Sequence, residues 1–97
     1  MAIEDISKQL RKCQILREKM REIRNEIEFH ERNLASLKEK WRELAAKKSR
    51  SKDPNEKETI SYYLSENVRQ QDDEKLRLSQ KIQRLKELEN DYQFNEC

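Results

Sequence analysis

With 97 residues, 43% of them charged, only 33% hydrophobic and none glycine, the chain has room for one domain at most and lacks the means to build a rounded core joined by tight turns. The net charge is +2 but unevenly held: residues 1–52 carry 15 Lys/Arg against 9 Asp/Glu, whereas residues 53–97 carry 7 against 11. Halves of opposite sign attract each other or each other's copies, or leave a basic half for a polyanion.

From Ile6 to Lys48 an unbroken heptad frame runs through the sequence, with a at Ile6, Cys13, Met20, Ile27, Leu34, Trp41 and Lys48 and d at Gln9, Leu16, Ile23, His30, Leu37 and Leu44. Apolar residues spaced three and four apart, among charges, predict a long helix over 3–50 with one coiled-coil seam. Ile3 and Leu10 fall beside that seam and widen it at the amino end.

The run "SRSKDPNE" then predicts a stop and a restart. The residue before a proline is pushed away from helical angles, and Asp53, Pro54 and Glu56 match an N-cap, an N1 proline and a capping-box acid at N3. A proline inside a helix costs about 3 kcal/mol, so a turn at 51–53 and a fresh helix over 54–94 are favoured over a kinked rod.

In the second helix a frame with a at Ser61, Val68, Lys75, Ile82 and Glu89 and d at Leu64, Gln71, Leu78, Leu85 and Tyr92 makes a weaker seam, with Ile60 and Leu88 beside it. The chain is therefore expected to be all-α, a single module of two long helices broken near residues 50–54. The favoured architecture is an antiparallel coiled-coil hairpin that dimerises or docks on partner helices, and the alternative is a long interrupted rod. Reversal at 52–53 would layer Met20 on Leu85, Ile23 on Ile82, Ile27 on Leu78, Leu37 on Val68 and Trp41 on Leu64, with Leu16 meeting Glu89 near the open end. His30 on Lys75 and Leu34 on Gln71 would form a polar middle.

Catalysis has little to use. His30 is the only histidine and has no Cys or second His three or four residues away, so no metal or cofactor is expected, and a polar residue in a seam sets register or oligomeric state instead. Cys13 reads as a small core residue and Cys97 as an exposed end. With no signal peptide and no apolar run long enough to span a bilayer, the expectation is an intracellular chain, cytoplasmic or nuclear, with both thiols free.

Residues 42–52, "RELAAKKSRSK", resemble the basic region of bZIP transcription factors at Ala45, Ala46, Ser49 and Arg50. The pattern departs from that family where bases are read: Arg42 stands in place of the asparagine, Glu43 replaces a basic residue, and Pro54 interrupts the helix that should enter the zipper. The family is not assigned. Lys47, Lys48, Arg50 and Lys52 remain as a polyanion contact at the tip, and Ser49 and Ser51 as targets for a basophilic kinase.

The functional expectation is a non-enzymatic adaptor or assembly subunit, with a homodimer or another helical protein as partner. Its interaction seam would be Leu16, Met20, Ile23, Ile27, Leu34, Leu37, Trp41 and Leu44 with Leu64, Val68, Leu78, Ile82 and Leu85, and its polar core layer His30, Gln71 and Lys75. The rival class is a nucleic-acid-binding module built on the basic first half. No membrane and no small-molecule substrate is expected.

Overall fold

The structure, a computed structural model, describes residues 3–97. It is all-α: α1 spans Ile3–Arg50 and α2 spans Pro54–Phe94, with the break where Pro54 predicts it. The packing of Ile3, expected beside the seam, lies outside the described side chains.

Local chemistry accounts for the break. At the end of α1 the Ser51 N–H donates to the Lys47 carbonyl at 3.0 Å, and Lys47, Lys48 and Arg50 put positive charge on the last turn, where the helix dipole favours it. Across the link, the Asp53 N–H donates to Ser51 Oγ at 3.3 Å. Asp53 then caps α2: its Oδ1 accepts from the Asn55 N–H at 3.0 Å and its carbonyl accepts the first helical bond, from the Lys57 N–H, also at 3.0 Å. Asp53→Ala is expected to cost about 1 kcal/mol of thermal stability with no loss of helix elsewhere, checked by calorimetry and circular dichroism.

The packing divides into two units, residues 1–28 with 79–97, and residues 29–78. In the first, Leu16, Met20 and Leu88 are buried together, with Ile23, Leu85 and Tyr92 packed against them. Glu26 receives Lys81 at 2.8 Å and Glu89 receives Arg24 at 4.0 Å, both exposed pairs worth about 0.2–1 kcal/mol each. The Gln9 amide reaches the Asn95 carbonyl, so here the start of α1 lies against the end of α2.

That end is shaped by one unusual residue. The Glu96 N–H donates to the Gln93 carbonyl and the Cys97 N–H to the Tyr92 carbonyl, the double bond pattern of a Schellman cap, with Glu96 at φ 57° where glycine is usual. A side chain there costs about 1–2 kcal/mol relative to right-handed geometry. The turn brings Cys97 to Cys13 on α1, and the two form a disulfide with a Cα–Cα distance of 5.7 Å. The expectation that both thiols are free is thereby overturned.

In the second unit α1 and α2 form a hairpin closed by residues 51–53. Leu34, Leu37 and Leu44 on α1 and Ile60, Leu64, Gln71 and Leu78 on α2 turn inward, half-buried or buried. Among the described residues no helix is long and apolar enough to cross a membrane.

Candidate interaction surface

The inward side of α2 differs from the expected frame by one residue in every other layer. Leu64, Gln71, Leu78, Leu85 and Tyr92 turn inward as expected, but the alternate column is Ile60, Asn67, Glu74, Lys81 and Leu88 in place of Ser61, Val68, Lys75, Ile82 and Glu89. Ile60 and Leu88 are 4% and 2% exposed, whereas Val68 and Ile82 are 45% and 38% exposed. Val68 and Ile82 therefore leave the seam assigned to them, and Lys75, exposed, leaves the polar layer.

Polar side chains can hold this column because α1 satisfies them. Buried His30 donates from Nδ1 to Glu74 Oε2 at 2.6 Å, with both side chains shielded, so Glu74 takes the place expected of Lys75. Asn67, buried, donates through Nδ2 to the Leu37 carbonyl at 3.0 Å, and its Oδ1 accepts from Gln71 Nε2 at 2.6 Å. A carbonyl inside a helix keeps a second lone pair after its helical bond, and Asn67 uses it. The two bonds to α1 work in one register only, since sliding α2 by one residue would carry Asn67 and Glu74 away from their acceptor and donor.

The remaining seam residues split by degree. Leu16 and Met20 are buried; Ile23, Ile27, Leu34, Leu37, Leu44, Leu64, Leu78 and Leu85 are half-buried. Trp41 is 39% exposed. It lines a surface groove of the second unit together with Lys38, Arg42, Val68 and Gln71. Phe29, Tyr62, Tyr63 and Leu76 are also exposed on this unit, and the two tyrosines pack edge to face at 5.7 Å. By contrast, its buried side chains are Ile60, His30 and Asn67. The large side chains this unit leaves exposed thus include Phe29, Trp41, Tyr62 and Tyr63, whereas the side chains it buries include no Phe, Trp or Tyr.

At the tip Lys47, Arg50 and Lys52 are exposed and Lys48 half-buried. None of these four is in an ion pair among the described residues, whereas Arg69 is clasped by Glu66 at 2.9 Å and Asp73 at 4.0 Å. The Glu66 hydrogen bond, then its charge, raises the pKa of Arg69 above the usual guanidinium range. Ser51 Oγ is engaged within the link and Ser49 is exposed.

No group of three or more His, Cys, Asp and Glu side chains is placed to hold a metal ion among the described residues. The grooves of both units are open to solvent. Searches of protein-family models, curated proteins and solved structures return no match for this chain.

Proposed function

We propose that the chain is a non-enzymatic helical adaptor or assembly subunit, working through the surface of its second unit. The observation that carries this reading is the exposure of Trp41, Tyr62, Tyr63 and Val68 on a unit whose interior is small and partly polar. Two helices bury little apolar surface, so additional packing is favourable, and aromatic side chains with one polar edge suit a surface that is wet when free and covered when bound. The leucines of the original seam, with Ile23 and Ile27, are engaged between α1 and α2. Docking therefore falls to the outward set.

The reading is tested by size fractionation of a native extract containing the tagged chain at its normal abundance. Wild type is expected in a particle larger than 11.9 kDa, and Tyr62→Glu/Val68→Glu at its own mass with helix content unchanged. Wild type running as a lone chain would overturn it.

The unpaired tip supports a second reading, contact with a polyanion. Replacing Lys47, Lys48, Arg50 and Lys52 by alanine is then expected to abolish retention on heparin at low salt, and wild-type retention should fall steeply as salt rises. Equal elution of the two proteins would remove the idea.

A further inference from the structure

We infer that the occupant of the Trp41 groove is a second copy of this chain, related by a two-fold axis running along the helices; this deepens the proposed function and rests on it. The groove is walled by α1 on one side, with Lys38, Trp41 and Arg42, and by α2 on the other, with Val68 and Gln71. Asp72, exposed, follows Val68 by four residues and so continues the α2 wall.

A two-fold axis lying in such a face sets α1 of each copy against α2 of the other, both hairpins pointing the same way. Trp41 of one copy then meets Val68 of the other, twice. Lys38 on the α1 wall meets Asp72 on the α2 wall, also twice. One surface thus carries both the projecting aromatic ring and the flatter apolar patch, both the charge and its complement, as an isologous contact requires. Lys38 and Asp72 make no ion pair within the described chain, so both are open to one from outside. The product is a four-helix bundle, in which Trp41 and Val68 become interior.

The test uses the purified, oxidised full chain in sedimentation equilibrium. Wild type is expected at twice 11.9 kDa. Lys38→Glu and Asp72→Lys, each alone, set like charges together and are expected to weaken the dimer about tenfold or more. An equimolar mixture of the two variants restores opposite charges at both contacts of a mixed dimer and should return wild-type affinity, with helix content unchanged throughout. A pair formed inside one chain would not be restored by mixing, so a mixture as weak as its components overturns the assignment. Purified wild type that stays at 11.9 kDa also overturns it. In that case a larger particle in the native extract would leave the adaptor reading standing with a different occupant, and a lone chain there would remove both.

Discussion

Reduction of the Cys13–Cys97 bond, or its removal by Cys13→Ser, is expected to lower thermal stability by about 4–5 kcal/mol, the entropy released when a loop of this span is opened in the unfolded chain. The bond joins residues 84 apart, nearly the whole length of the chain. Its effect is large relative to the structure it ties: among the described residues, the buried apolar side chains of the first unit are Cys13 itself, Leu16, Met20 and Leu88. At about 4–8 °C per kcal/mol for a domain of this size, the midpoint should fall by roughly 20–30 °C. Thermal unfolding followed by circular dichroism, with and without a dithiol reductant, measures it. Midpoints within a few degrees of each other would mean that the loop closed by the bond contributes little. Leu88→Ala, which leaves the bond intact, supplies the comparison, with an expected cost of about 2–5 kcal/mol for truncating a buried leucine.

The second large effect is expected at His30 and Glu74. Glu74→Leu leaves a buried imidazole without its acceptor, at about 1–3 kcal/mol. His30→Leu leaves a shielded carboxylate without its donor, at about 3–5 kcal/mol. The double variant removes both polar groups and is expected near wild-type stability, since an apolar pair of similar volume replaces a buried polar one with little net loss. Denaturant unfolding of the four proteins gives the coupling energy directly. Simple addition of the single costs would show that the 2.6 Å contact does not organise this layer. A subtler outcome concerns specificity: with His30 and Glu74 gone, Asn67 alone holds the register of the second unit, and a stable protein with broadened amide resonances would report slippage.

How far the fold can be read from sequence varied with how local the determining chemistry is. The break was legible because Asp53 and Pro54 act on their own neighbours, through a cap and a fixed φ. The middle of the α1 frame was legible because its positions are nearly all apolar, and Leu16, Met20, Ile23 and Ile27 each turn inward, whereas Ile6 and Trp41 of the same frame are exposed. The α2 frame was misread because Val68 and Ile82 look like seam residues and face out, while Asn67, Glu74 and Lys81 look like surface and face in. Their partners lie on α1, and no reading of α2 alone supplies them. The spacing of Ile60 to Leu64 and of Leu85, Leu88 and Tyr92 held the better signal, since those apolar residues fit the shifted frame without exception. The Cys13–Cys97 pairing was hidden for a similar reason: it depends on how α2 ends, through a left-handed turn at a glutamate.

The three-residue link at 51–53 acquires a different meaning once the ends of the chain are joined. Ser51, Lys52 and Asp53 lie outside both helices, and Lys52 is exposed, which makes this the place where a trypsin-like protease reaches the backbone first. Because the cut falls inside the covalent ring, the two fragments stay tied through sulfur, and the ends released at the tip are far along the sequence from the bond that retains them. A nicked molecule would thus keep its mass apart from one added water, and separate into two peptides only after reduction. Break and bond together make the chain a two-piece molecule in waiting, tolerant at its tip of a cut, an insertion or a new pair of termini.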